Sequence, residues 1–242
     1  MILIAGPCVI ESYDILRKTA DFLSKVLENK NIEFYFKASC IKDNRTAIQN
    51  YRGPGLIKGL HMLQKIKKEY GFKITTDFHS ASQIESFGKT VDLIQIPAFL
   101  CMQTEITEAA SKIDRPIHVK KGQFLGPLEA IKMWKKYKEA GCKKVYLTDR
   151  GTQLGYNQLF IDPRHIVLWK QHNIPVLIDI THPNKNYPNN TFEYSIALAK
   201  MALILNADGI FMEVHPKPTT ALCDSATQLD FDVAYKILNL LV

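Results

Sequence analysis

Seven short apolar runs in this chain end in a group that can bind an anion, move a proton or ligate a metal. They read FYFKAS, KITTDFH, LIQIPA, IHVKKGQ, KVYLTDRG, VLIDITH and GIFMEVHP. The groups are Lys37, Asp77, Gln95, Lys120, Arg150, His182 and Glu213. Phosphates and carboxylates need fixed positive charge and dense donors, which Lys supplies as a point and Arg as a planar fork. Packing of buried strands does not require such residues, so their recurrence points to a site.

Lys42, Arg45 and Lys121 extend the cationic set. One such lysine alone reads as an ordinary surface cation; several at successive strand ends read as an anion pocket. Neighbouring residues of a strand face opposite ways, so one of Lys120 and Lys121 is expected to point inward. Asp77 and His79 suit proton transfer or the ordering of water, or serve as hydrogen-bonded strand-end residues.

A second set is Cys8, His182, Glu213 and Asp224. In a closed barrel the first and the last two strands are neighbours, so these four can meet. One thiolate, one imidazole and two carboxylates suit Fe²⁺, Zn²⁺ or Mn²⁺ better than Mg²⁺. By spacing alone, a Cys after Gly-Pro is more often a small buried residue. Glycines punctuate the same loops in RGPG at 52–55, at Gly122 and at Gly151. They allow close backbone approach to a ligand, or simply make turns. Walker A, GxGxxG and GxSxG patterns are missing, which leaves nucleotide binding and serine hydrolase chemistry unsupported.

The elements that must position these groups alternate regularly. Strand-like runs fall near 2–5, 33–38, 73–76, 92–96, 116–119, 144–148, 175–180 and 209–213. Helix-like segments fall near 13–27, 56–70, 81–88, 103–113, 127–140, 163–171, 191–205 and 231–241. The pattern is thinnest at the strand after Gly71 and the helix at 81–88. Eight β/α units without a linker predict one (β/α)8 TIM barrel domain over residues 1–242, with a doubly wound open sheet as the alternative. In a barrel, strand carboxyl ends gather at the face that carries the chemistry. The Asn- and Pro-rich stretch 182–191 reads as a mobile surface loop.

The composition is ordinary for a soluble globular protein, and the length is close to the roughly 250 residues typical of such a barrel. The chain has 242 residues, 46% apolar and 23% charged, with net charge +7. No apolar run reaches the roughly 20 residues that span a bilayer. The start, MILIAGPCVIES, has no basic segment and turns acidic early, so a signal peptide is not expected. Five widely spaced cysteines predict reduced thiols and a cytoplasmic protein. Basic clusters such as KIKK at 65–68 read as solvated helix faces, and no nucleic-acid recognition motif accompanies them.

Taken in order, IAGPCVIES, FKASCIKDNRTA, YRGPGL, KITTDFH, IQIPAFLCMQT, VKKGQFLGP, YLTDRGTQLGYNQL, DITH and GIFMEVHPKPTTALCDSATQL resemble the Kdo-8-phosphate synthase family. The resemblance runs from residue 3 to about residue 229. KKGQFL with IQIPAFL separates that family from the heptulosonate 7-phosphate and sialic acid synthases. It implies a (β/α)8 barrel, tetrameric, that condenses phosphoenolpyruvate with arabinose 5-phosphate and water. It also implies that Lys37, Lys42, Lys120 and Arg150 hold phosphoenolpyruvate, with Gln95 nearby. Asn44, Arg45 and Thr46 would take the arabinose 5-phosphate, Arg45 at its phosphate. Cys rather than Asn after Gly-Pro implies the metal-dependent type, with His182, Glu213 and Asp224 completing the site.

Three departures touch the sugar half. Met102 stands where the family has an arginine that reaches a neighbouring subunit's site. Ile41 replaces an acidic residue, and the stretch after His182 is shorter and lacks the family's glycines. They predict weaker arabinose 5-phosphate binding, or a different aldose such as erythrose 4-phosphate. A repurposed barrel without turnover is the reading from a different class.

Overall fold

The computed structural model describes residues 1–155, 158–185 and 191–241. Eight parallel strands close into a barrel: β1 (Ile2–Gly6), β2 (Glu33–Lys37), β3 (Lys73–Asp77), β4 (Leu93–Ile96), β5 (Ile117–Lys120), β6 (Val145–Asp149), β9 (Val176–Asp179) and β10 (Gly209–Glu213). A separate antiparallel pair, β7 (Thr152–Leu154) and β8 (Gln158–Phe160), follows β6. Around the barrel stand α1 (Tyr13–Leu27), α2 (Leu56–Tyr70), α3 (Thr104–Ser111), α4 (Pro127–Glu139), α5 (Pro163–Gln171), α6 (Thr191–Ile204) and α7 (Phe231–Leu240). The closed barrel is the expected architecture, and the open sheet is set aside.

Local chemistry explains the elements. Ser12 caps α1 by accepting from the Ile15 amide, and Asp14 sits in the first turn, where the helix dipole favours an anion. Leu16, Ala20 and Leu23 recur at helical spacing and are buried against the barrel. Pro127 and Pro163 open α4 and α5, where a missing amide costs nothing.

Alternation along the strands divides the core in two. Ile4, Tyr35, Leu93, Tyr146, Leu177 and Phe211 fill the barrel interior. The residues between them pack outward against the helices, as do Leu3, Phe36, Ile94, Leu147, Ile178 and Ile210. The same period of two carries Lys37, Asp77, Gln95, Lys120, Asp179 and Glu213 to the inward side at the carboxyl ends.

Two local differences from the sequence pattern have physical causes. The segment expected as a helix at 81–88 is a 3-10 helix, Ala81–Phe87. Its buried residues, Ile84 and Phe87, are three apart, the period of a 3-10 turn, and Gly88 at φ 47 ends it. The β7–β8 hairpin was not anticipated. Its strands have three residues each and are mostly exposed, too short for an alternation signal. The stretch 182–191 opens with a 3-10 turn, His182–Asn184; its residues 186–190 lie outside the described residues. Among the described residues, no helix is long and apolar enough to cross a membrane.

Gly6 ties the fold to the site. Its φ is 152°, and a Cβ there would lie 2.1 Å from the Lys37 carbonyl oxygen. That close approach of β1 to β2 lets the Lys37 ammonium donate to the Cys8 carbonyl at 2.7 Å. Gly71, by contrast, has a left-handed φ of 70° and open space around it. Gly6→Ala is expected to cost about 3 kcal/mol in urea denaturation, and Gly71→Ala about 1 kcal/mol.

Candidate active site

A cavity of about 430 Å³ opens at the carboxyl ends of the strands. Lys42, Asn44, Arg45, Thr46, Asp77, Gln95, Lys120, Arg150, His182, Glu213 and Asp224 all line it. Residues from seven different β/α units therefore meet in one place. His79 does not line it; its imidazole Nε2 lies 3.2 Å from Asp77 Oδ2 and 3.1 Å from the Ile41 carbonyl, facing a smaller adjacent cavity. Lys37 and Cys8 lie beneath the floor, fully buried.

Buried ion pairs set the electrostatics. Lys37 Nζ lies 2.6 Å from Glu213 Oε1. Lys120 Nζ donates to Asp179 Oδ2 at 2.5 Å and sits 3.0 Å from the centre of the Phe211 ring. Burial pushes the Lys120 ammonium down to about 8, with the Asp179 carboxylate pulling the other way. Burial alone would raise the Asp77 carboxyl, but contact with His79 and the charges of Lys42 and Lys37 carry it well below its ordinary value. The Lys42 ammonium is desolvated, yet Cys8, Asp77 and Glu213 hold it well above the ordinary lysine value. Lys121 faces away, with its ammonium 2.9 Å from Thr152 Oγ1 and 3.5 Å from Asp149 Oδ1. Arg150 donates to Gln123 Oε1 at 3.2 Å. One lysine of the Lys120–Lys121 pair faces the cavity, as strand alternation requires.

The metal-ligand candidates form two overlapping triads. His182, Glu213 and Asp224 bring their donor atoms within 4.8 Å of one another, and so do Cys8, Cys223 and Asp224. Asp224 belongs to both, and its φ of 46° is a strained value for a non-glycine residue. His182 Nε2 is 3.8 Å from Glu213 Oε2. On the ring's other side Nδ1 lies 2.8 Å from Asp179 Oδ2, at ion-pair distance though out of hydrogen-bond alignment. A carboxylate behind Nδ1 is the usual outer partner that leaves Nε2 for a cation. Glu213 Oε2 is buried without a hydrogen-bond partner, and such an acceptor is costly unless a cation meets it. Soft sulfur, imidazole and hard oxygen donors together fit a borderline divalent ion. Burial raises the Asp224 carboxyl, but His182, Lys42 and Lys185 outweigh it and hold the group well below its ordinary range.

Two participants were absent from the sequence-based set. Asp179 is the last inward residue of β9, so the alternation that selected Lys120 would have found it. Cys223 was counted only among the thiols. Its sulfur lies 3.1 Å from Cys8 Sγ, a juxtaposition that joins residues 215 positions apart and leaves no local signal. Arg45 Nη1 donates to the same sulfur at 2.7 Å. Ile41 is partly buried against the core, and Met102 is 40% exposed, outside the lining of the main cavity.

A closed β/α barrel whose strand ends gather buried ion pairs, further cations and thiol, imidazole and carboxylate donors around one cavity defines a class: β/α-barrel enzymes with their site at the carboxyl ends of the strands. The chain matches the model of the DAHP synthetase I family over residues 1–242, and it belongs to that family. It is similar to proteins named 2-dehydro-3-deoxyphosphooctonate aldolase. The one from Desulfotalea psychrophila is 40% identical, covering 100% of this chain and 89% of the relative. That from Wolinella succinogenes is 41% identical over 95% of this chain and 93% of its own. A third, from Campylobacter jejuni subsp. doylei, is 40% identical over 100% and 97%.

The Lys37–Glu213 pair supplies a direct test of the electrostatics. Removing one partner strands the other as an unpaired buried charge. Lys37→Met is expected to cost about 3–5 kcal/mol in chemical denaturation. The double variant Lys37→Met, Glu213→Gln should recover a large part of that loss.

Proposed function

We propose that this chain condenses phosphoenolpyruvate with D-arabinose 5-phosphate and water, giving 3-deoxy-D-manno-octulosonate 8-phosphate and inorganic phosphate. It is a transferase, and its product is a precursor of lipopolysaccharide. The relatives' shared name and the full-length match support this activity. The observation that carries it is one cavity lined both by the cations Lys42, Lys120 and Arg150 and by the His182, Glu213 and Asp224 cluster. The barrel domain of residues 1–242 works as a cytoplasmic homotetramer, with small-molecule substrates and no nucleic acid or membrane partner.

Each residue has a role that follows from its charge and place. Lys120 and Arg150 bind the phosphate and carboxylate of phosphoenolpyruvate, and Lys42 and Gln95 complete that half. Lys37 acts from below, holding Glu213 Oε1 so that Oε2 faces the cluster. Asn44, Arg45 and Thr46 bind the sugar phosphate; Arg45 must then turn from Cys223 toward the phosphate. Fixing both substrates aligns C3 of phosphoenolpyruvate with the sugar aldehyde and removes translational and rotational cost from the barrier. As C3 attacks, positive charge develops at C2 and an alkoxide develops on the sugar oxygen. Water adds at C2 and phosphate leaves by C–O cleavage. Asp77, held ionised by His79 and Lys42, orders that water or takes its proton. Cys8, His182, Glu213 and Asp224 would hold a divalent ion, Fe²⁺, Zn²⁺ or Mn²⁺, which when bound supplies Lewis-acid polarisation of a substrate oxygen or of water.

A second reading, another aldose phosphate in the sugar half, is favoured by Ile41 in the core and uncharged Met102 on the surface. Assay of phosphate release with arabinose 5-phosphate, erythrose 4-phosphate and unphosphorylated sugars separates the two. A Michaelis constant for arabinose 5-phosphate no higher than that of an arginine-bearing relative would retire it.

The primary test is phosphate release from phosphoenolpyruvate plus arabinose 5-phosphate. Turnover is expected, lost with chelator and restored by Mn²⁺, Fe²⁺ or Zn²⁺. Turnover that survives complete metal removal would reject the metal, and none with any aldose would reject the synthase. Lys120 adds a pH prediction. Its ammonium loses a proton near pH 8 in the free site, so anion binding weakens above that pH. KM for phosphoenolpyruvate should rise as pH passes 8. In Lys120→Met it should be at least about ten-fold higher throughout, with that rise removed.

A further inference from the structure

Cys8 and Cys223 are drawn together more closely than the proposed reaction requires. Their sulfurs are 3.1 Å apart, and both are buried, at 0% and 2% exposure. Asp224 Oδ2 accepts from each, at 3.2 Å from Cys8 and 3.4 Å from Cys223. One buried side chain also clamps the two backbones. The Cys8 amide donates to Gln228 Oε1 at 3.0 Å, while Gln228 Nε2 donates to the Cys223 carbonyl at 2.8 Å. Lys37 holds the Cys8 carbonyl from the other side. A sulfur pair held this way has to close by only about 1 Å to reach disulfide bonding distance.

We propose that Cys8 and Cys223 are a redox modification site, forming a reversible disulfide when a small peroxide enters the cavity. Asp224 lines the cavity and accepts from both sulfurs, and Arg45, which also lines it, donates to Cys223, so the pair lies directly behind lining side chains. Cys223, with the Arg45 guanidinium against its sulfur, meets the oxidant first. Its sulfur attacks one peroxide oxygen, the O–O bond breaks, and a sulfenic acid and one water result. The Cys8 sulfur then attacks the Cys223 sulfur. The S–S bond forms, the S–O bond breaks, and a second water leaves. Two thiols lose two protons and two electrons, and hydrogen peroxide becomes two waters. A dithiol reductant reverses the change by thiol–disulfide exchange.

The bond removes Cys8 as a sulfur donor, so disulfide and metal compete for one side chain. That consequence rests on the metal reading above; the bond itself does not. A bound ion shields Cys8, and loss of the ion exposes it. Cys223 is thereby assigned a role apart from ligation.

The experiment uses the full chain, chelator-treated and then exposed to hydrogen peroxide, quenched, unfolded and alkylated. Intact mass should show loss of two of the five alkylatable thiols, and peptide mapping should join the Cys8 and Cys223 peptides. Dithiothreitol should restore both thiols. Cys223→Ser should keep its remaining thiols under the same treatment, with circular dichroism confirming its fold. Full retention of thiols by the native chain would overturn the proposal, as would a bond joining any other pair. Zinc content, measured separately, reports on the metal reading. Zinc loaded beforehand should slow bond formation about ten-fold or more by mass action. Equal rates with zinc bound would overturn the competition.

Discussion

Charge taken out of water must be paired, and at the mouth of this barrel that constraint decides which side chains meet. Lys37 and Glu213 are fully buried and 2.6 Å apart. Asp179 reaches Lys120 with the same carboxylate oxygen that lies near His182. Burial tends to neutralise each of these carboxyls, and the neighbouring cations reverse the tendency. The pairs link β2 to β10 and β5 to β9, so the charge network braces the same strand ends that form the cavity.

Pairing also explains the division of labour between Lys120 and Lys121. Lys121 is committed to Asp149, the Gly151 carbonyl and Thr152 on the outer side of β6. Lys120 has one carboxylate partner and a face on the cavity. The outer lysine secures the start of the β7–β8 hairpin, and the inner one remains in reach of an anion. Glu213 likewise serves two structures: Oε1 closes the ion pair, and Oε2 faces His182. Strain at Asp224 is consistent with a residue held in place by its neighbours rather than by its own backbone preference.

Much of the fold was legible because β/α alternation is a local property. Every barrel strand falls on an apolar run, with ends within about two residues of the pattern, the ordinary precision of such boundaries. Where the pattern misled, the segment was short. Ala81–Phe87 has helical composition, but its two buried anchors three residues apart select a tighter helix. The β7–β8 hairpin stands on two three-residue strands with largely exposed side chains. The site was legible in outline from polar groups ending apolar runs. His79 was placed with Asp77 and indeed contacts it, yet faces the smaller cavity. Cys223 went unassigned because nothing near it in the chain announces Cys8.

The sequence by itself determined the barrel, the face on which its chemistry gathers and the types of donor available there. Periodicity of two along strands and of about 3.6 along helices is encoded residue by residue, and so is the polar group closing each run. Tertiary structure decided the pairings. Lys37 against Glu213, Lys120 against Asp179, and Cys8 beside Cys223 join residues 176, 59 and 215 positions apart. Closure of the barrel brings β10 beside β1, and that single event creates the cluster around Asp224. Which charge neutralises which is a property of distance in a medium of low polarity, and only the closed barrel sets those distances.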